Sequence, residues 1–325
     1  MRLSRTHFVV GTRGSKLALE QAKYIAARIR NIRPNLEVEV KVVETSGDKM
    51  KDVALAKFGG KSLFTKELDQ KLLDYHIDIA VHSAKDVPAD LDEDLMIAAT
   101  PVREDVRDAM ILREGSSLDD IPEGALIGTS SLRRRAQLLR LRPDLKVVAL
   151  RGNIETRISR VLDDKKVDGI ILATAGLNRL GLRDKISFHF DPNQMITAAG
   201  QGAIAVVSRK EDFYTRDIVN ELSLKNTFDS VAAERMVMAE LGANCQAPIG
   251  VFARLMPTEP PVMRIDAFVS NLDGSKMIKL EHSGMARDYE KVAKELVQSL
   301  KDAGAEEVLS NAAKEYESMT DEVIS

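Results

Sequence analysis

Apolar positions along the first hundred residues switch between two periods. His7–Gly11 is a short β-branched run, Ser15–Arg30 spaces its apolar residues as a helix that stops before Pro34, and Leu36–Glu44 alternates with period two. Together they predict a βαβ opening. The glycine- and lysine-bearing stretch Thr45–Lys61 follows, too long for a plain connector and therefore expected to be functional or mobile. Beyond it the pattern predicts a helix over Ser62–Asp74 and a buried strand at Ile77–Val81. A second set predicts strands at Asp108–Leu112, Ala125–Gly128, Lys146–Leu150 and Gly169–Ala173, with helices at Leu132–Leu141 and Ile154–Leu162 between them. Such alternation implies an α/β fold with parallel sheets covered by helices on both faces. The run AAGQGAIAVVSR after Thr197 predicts a strand that returns to the first unit, which makes the first domain discontinuous. From Thr227 the order changes to a helix (Phe228–Leu241), a strand-rich stretch (Val251–Leu280, turning at Asn271–Gly274) and two terminal helices, which fits a small α+β domain.

Composition narrows the class. With 325 residues, 44% of them hydrophobic and 30% charged, the chain can bury more than one core and is unlike a disordered sequence. No run approaches the ~18 apolar residues of a membrane span, and the apolar stretch near the N-terminus is too short for a signal peptide, so a cytoplasmic protein is expected. One cysteine, Cys245, excludes an internal disulfide, and no Cys/His cluster has zinc-ligand spacing, so no metal is expected. Net charge is −3, yet residues 121–160 carry nine basic side chains against three acids. That excess calls for an anion. Residues 281–325 carry eleven acids and five basic groups, which a solvated helical surface explains.

Two segments share one arrangement. Thr12-Arg13-Gly14-Ser15 and Thr129-Ser130-Ser131-Leu132-Arg133-Arg134 each place hydroxyls and free backbone N–H groups where a strand passes into a helix, a position that serves equally as an anion cradle or an ordinary N-cap. Arginines in a first helical turn oppose the macrodipole unless an anion compensates them. Arg151 and Arg157 follow the next strand, so four guanidinium groups are expected on one rim, at the strand ends where open sheets bind ligands. His82-Ser83-Ala84-Lys85-Asp86-Val87-Pro88 also falls at a strand end. By itself Lys85–Asp86 reads as a surface pair or as a buried carboxylate suited to stabilising a cation, and His82 as a packed imidazole. Cys245 lies in a Gly/Pro-bounded loop, where a lone cysteine is either a small hydrophobe or a reactive thiol.

Taken as a set, TRGSKLALEQA, LAKFGGKSLFTKELD, DIAVHSAKDVP, GTSSLRRRAQL, LRGNIETR, ILATAGLNRLGL, AAGQGAIAV and NCQAPIG occur in the order seen in the porphobilinogen deaminase family, also called hydroxymethylbilane synthases, and the resemblance runs from residue 8 to about 252. It implies a transferase of tetrapyrrole (heme) biosynthesis that condenses four porphobilinogen molecules head to tail into hydroxymethylbilane with loss of ammonia. It implies a dipyrromethane cofactor, joined by a thioether to the cysteine that matches Cys245. The family usually has glycine before that cysteine, whereas this chain reads Ala243-Asn244. Each pyrrole bears an acetate and a propionate, so by motif position Arg13, Ser83, Lys85, Thr129, Ser131, Arg133, Arg134, Arg151, Arg157 and Arg179 are implied to bind cofactor or substrate. Asp86 is the implied catalytic carboxylate, stabilising the azafulvenium cation left by ammonia and shuttling the proton lost afterwards. Lys57 and Lys61 belong to the implied active-site loop, the lid spanning Thr45–Lys61.

The implied fold is α/β, with two doubly wound domains resembling type II periplasmic binding proteins and a small α+β C-terminal domain that carries Cys245. The expected limits are 1–101 with 202–222, 106–197 and 226–325. A solute-binding protein is the structural alternative, disfavoured by the missing signal peptide. A nucleic-acid binder using the 133–160 arginines is disfavoured by the net charge and by only 4% aromatic residues. The partners expected are porphobilinogen alone, with no nucleic acid or membrane, and a monomer. On this reading Arg134→Leu and Arg151→Leu cripple cofactor assembly or chain elongation, while Arg142→Leu, at the far end of the same helix pattern, is nearly silent.

Overall fold

The computed structural model describes residues 6–45, 65–243 and 247–319, together with the backbone of 323–324. In chain order β1 (His7–Thr12), α1 (Lys16–Ile32), β2 (Glu37–Val42), α2 (Lys66–Leu73), β3 (Ile79–Ser83) and β4 (Leu95–Ala99) come first. They are followed by β5 (Asp108–Leu112), β6 (Leu126–Gly128), α3 (Leu132–Leu141), β7 (Lys146–Leu150), α4 (Ile154–Leu162), β8 (Gly169–Ala173), α5 (Thr174–Arg179) and β9 (Phe188–His189). The chain then forms β10 (Ile204–Arg209), α6 (Phe213–Asn220), α7 (Lys225–Glu240), β11 (Ile249–Met256), β12 (Val262–Ser270), β13 (Met277–Met285), α8 (Tyr289–Asp302), α9 (Ala305–Ser318) and β14 (Val323–Ile324).

Two compact units result, one of Met1–Glu104 with Ala203–Phe228 and one of Asp105–Gly202 with Asp229–Ser325. The first is built on a five-stranded sheet of order β2-β1-β3-β10-β4. Helix α1 covers one face because Gln21, Ala22, Ile25, Ala26 and Ile29 recur at helical spacing and seal against Phe8, Val10, Ile79, Val81, Ile204 and Val206. Ser15 starts it, its Oγ accepting from the Ala18 N–H, and Pro34 ends it. On the opposite face Leu68 and Leu72 of α2 pack on Ala80 and Val207.

The second unit holds a six-stranded sheet of order β14-β7-β6-β8-β5-β9 and a three-stranded antiparallel sheet, β11-β12-β13. In the smaller sheet Met263, Ile265, Ala267 and Val269 alternate toward Val292, Leu296 and Leu300 of α8. The larger is covered by α4 through Ile158 and Val161 on Leu150 and Leu172.

Neither large sheet is purely parallel, a correction to the pattern reading. β10 runs antiparallel to both β3 and β4, Ile204 pairing with Ser83, so it starts where β3 ends. β5 likewise opposes β8 and β9. Strands buried on both faces look alike in sequence whichever way they run, and every residue of β10 is buried.

Candidate active site

In the first unit β1 and β3 are parallel neighbours, so the chain leaving each reaches the same sheet edge. From β1 comes Arg13, half-buried, and Thr12 is pinned as its Oγ1 donates to the Ala18 carbonyl at 3.0 Å. From β3 the chain enters a single 3₁₀ turn, Ala84–Asp86, held where the Ala84 N–H donates to the Ala203 carbonyl at 2.9 Å. Between them opens a cleft lined by Arg13, Gln21, Thr65, His82, Ser83 and Asp86. Gln21, buried on α1, donates its Nε2 to Ser83 Oγ at 2.8 Å and orients that hydroxyl. Asp86 is exposed rather than buried, and Lys85 beside it is half-buried. The His82 ring is buried, and burial first, then the Arg13 charge, push its pKa down to about 4, so it is neutral at physiological pH.

In the second unit the arginine pair at the start of α3 turns inward. Ser131 caps the helix, its Oγ accepting from the Arg134 N–H at 3.4 Å, and Thr129 Oγ1 accepts from the Ser131 N–H at 3.2 Å. Arg133 Nη1 lies 2.7 Å from Asp108 Oδ2 and donates to the Ile196 carbonyl at 2.7 Å. Arg134 donates Nε and Nη2 to Asp108 Oδ1 at 3.0 and 2.8 Å, and Nη1 to the Ile171 carbonyl at 2.9 Å. Gln201 Nε2 adds a further donor to Asp108 Oδ1 at 2.9 Å. Burial would raise the Asp108 carboxyl, but the two guanidinium charges and these hydrogen bonds hold it well below the usual carboxylate range. The anion that the dipole argument requires at this helix is therefore the chain's own Asp108.

The four-guanidinium rim is corrected accordingly. Arg133 and Arg134 are only 4% and 6% exposed, whereas Arg151 and Arg157 are half-buried beyond β7. Arg157 Nε donates to the Gly152 carbonyl at 2.8 Å, and Asn153 Oδ1 caps α4 by accepting from the Thr156 N–H at 2.8 Å. Arg179, on α5, donates to the Gly202 carbonyl at 2.7 Å. Much of the basic excess of 121–160 is tied to the chain's own main chain: half-buried Arg135 donates to the Val147 carbonyl and exposed Arg140 to that of Gly274. Arg142 is not a solvated end residue either. It pairs with Asp144 through two donors and donates to the carbonyls of Leu118 and Ile121. Among the described residues no cluster of His, Cys, Asp or Glu could hold a metal, and no helix is long and apolar enough to cross a membrane. Cys245, Lys57, Lys61 and nearly all of the expected lid lie outside the described residues.

Residues 8–217 match the family model "Porphobilinogen deaminase, dipyromethane cofactor binding domain", and residues 228–302 match "Porphobilinogen deaminase, C-terminal domain". The chain belongs to the porphobilinogen deaminase family. Porphobilinogen deaminase of Bacillus cereus (strain AH187) is 45% identical over 313 residues, 95% of this chain and 99% of that one. That of Syntrophobacter fumaroxidans is 42% identical over 300 residues, 92% and 96% of the two chains. Among solved structures, the methionine-binding protein MetQ is similar at 16% identity and a TM-score of 0.42, over 71% of this chain and 95% of that one.

For a porphobilinogen deaminase, a transferase that works with a dipyrromethane, the donor chemistry of the first unit fits: a guanidinium and a hydroxyl for carboxylates, a carboxylate for N–H groups, and a buried ring nitrogen of His82 that has no partner among the described residues. Two participants escaped sequence reasoning. Gln21 reads as one more position on α1, and Asp108 as the polar start of a strand. An acid at the edge of an otherwise apolar strand, in a chain with an uncompensated arginine pair elsewhere, was the available signal for Asp108.

Proposed function

We propose that this protein condenses four porphobilinogen molecules head to tail into hydroxymethylbilane, with Cys245 holding the dipyrromethane through a thioether. The cofactor, when bound, supplies the free pyrrole α-position on which the chain grows. The observation that carries the reading is the cleft at the ends of β1 and β3, which brings Arg13, Ser83 and Asp86 together from segments about seventy residues apart in sequence. Arg13 takes a pyrrole carboxylate through its planar fork, and Ser83, fixed by Gln21, donates or accepts beside it. Asp86 stabilises the positive charge that develops on the substrate pyrrole as ammonia departs, and accepts the proton released on coupling.

Lys85, Arg151, Arg157 and Arg179 bind further carboxylates of the growing chain, Thr129 and Ser131 present their helix start to it, and Lys57 and Lys61 act from the active-site loop. Arg133 and Arg134 act by shaping that helix start through Asp108, as their buried ion pairs indicate. The protein works as a cytoplasmic monomer, binds no nucleic acid, and has domains at 1–101 with 202–222, 106–197 and 226–325. The test is Asp86→Asn beside Asp86→Glu. The first is expected to keep the cofactor yet lose turnover by a factor on the order of 10² or more, the second to fall between it and the parent. Unchanged hydroxymethylbilane formation by Asp86→Asn overturns the assignment.

A further inference from the structure

His82 belongs to none of the roles above, yet it lines the same cleft. It projects from the face of β3 opposite Val81 and Ser83, toward the side covered by α2, and is 5% exposed. Its Nε2 is buried and, among the described residues, has no hydrogen-bond partner. A buried polar nitrogen left unmatched costs stability, and most such atoms in folded proteins are paired. An unmatched one in the wall of an open cleft is explained when a ligand supplies the partner. The charged groups among the residues lining that cleft are Arg13, close enough to act electrostatically on the ring, and Asp86. Arg13 concentrates anions there, and a neutral imidazole can offer one N–H to the same anion, whereas a lone pair at that position would repel it.

We propose that His82, as a neutral imidazole protonated at Nε2, is a specificity-determining residue that donates to the porphobilinogen carboxylate held by Arg13, so that the two side chains form one carboxylate subsite. The ring stays neutral because burial and the Arg13 charge oppose its protonation, which leaves Asp86 as the cleft's proton acceptor. This rests on the reading of Arg13 as a carboxylate ligand, and the experiment separates the two.

His82→Gln places an amide N–H near the position of Nε2, His82→Asn places one near Nδ1, and His82→Phe keeps the bulk without a donor. In the holoenzyme, KM for porphobilinogen is expected to rise roughly tenfold or more in His82→Phe and His82→Asn, with kcat changed less, and to recover in His82→Gln. In ¹⁵N-histidine-labelled holoenzyme the Nε2 signal is expected to report a bound proton from pH 5 to 8 and to move on adding porphobilinogen. Arg13→Leu run in parallel is expected to raise KM at least as much. A normal KM in all three His82 variants beside a raised one in Arg13→Leu overturns the role of His82 alone. A normal KM in Arg13→Leu overturns the subsite itself. An Nε2 without a proton, or a signal unmoved by porphobilinogen, contradicts the donor even where KM rises.

Discussion

Asp108 and Asp69 show one residue type held in opposite ways. In Asp108 burial is overcome by Arg133 and Arg134, so its folded-state pKa is depressed; its contribution to stability is fully present above the unfolded value of about 3.9 and is lost as pH falls through the folded value below that. Asp108→Asn leaves two buried guanidinium groups without a counter-charge and is expected to cost about 3–5 kcal/mol in denaturant unfolding at pH 7. In Asp69 burial, aided by the charges of Asp92 and Glu67 and opposed by a hydrogen bond from Thr65, raises the carboxyl to about 6. There the unfolded chain ionises first, so stability falls as pH rises from about 4 to 6 and stays lower above. Asp69→Asn is therefore expected to stabilise the protein at pH 7 by about 1–2 kcal/mol, a figure reduced from the full shift because the group partly meets solvent, and to have no effect near pH 3.5. Arg142→Leu, expected from sequence to be silent, should instead lower Tm by roughly 2–4 °C, since it releases two loop carbonyls as well as Asp144. The local capping residues Ser15 and Ser131 were legible, because a cap acts within three residues of itself, whereas the Asn153 cap of α4 was not read. The Asp108 network was not legible, because its partners lie 25 to 93 positions from Asp108 and nothing local marks them as such.

Elements were legible where a pattern ran long enough. Leu132–Leu141, Lys146–Leu150, Ile154–Leu162 and Gly169–Ala173 have the limits that periodicity and capping predict. β4, α5 and α6 were missed, being short elements beside turns, and β14 pairs two residues of the C-terminal segment with β7, a long-range contact that no local pattern announces. The turn at Asn271–Gly274 was legible as a turn, but its packing was not. Gly274 has φ +77°, and a Cβ there would stand 2.1 Å from the Ala136 carbonyl oxygen and 3.0 Å from Arg140 Cβ, so the β12–β13 hairpin rests directly on α3. Gly274→Ala is expected to cost more than about 2 kcal/mol in denaturant unfolding, because the left-handed backbone and the backbone contact both resist the new methyl. Gly304→Ala is the control. It has φ +89° with open space around it and should cost only about 1 kcal/mol of backbone strain. Equal losses at both positions would show that the hairpin contact contributes nothing.

For the whole molecule, order and charge were legible while direction and destination were not. The return of the chain to its first unit could be read from residues 198–209, though not that the returning strand opposes its neighbours. The basic excess of 121–160 was visible, but how much of it is tied to Asp108, Asp144 and main-chain carbonyls was not, because no local pattern marks those partners. In the proposed function these parts serve one reaction, built on a dipyrromethane held by the chain's single cysteine. Cys245→Ser should fold, as a substitution nearly equal in size, yet lack the cofactor, because an alcohol is a poor replacement for a thiolate in capturing a cationic carbon. The intact mass of the purified protein tests this most directly. An increment of two pyrrole units is expected on the wild-type chain and none on Cys245→Ser, whereas a fully active wild type at the bare chain mass, or the same increment on the serine variant, would overturn attachment at Cys245.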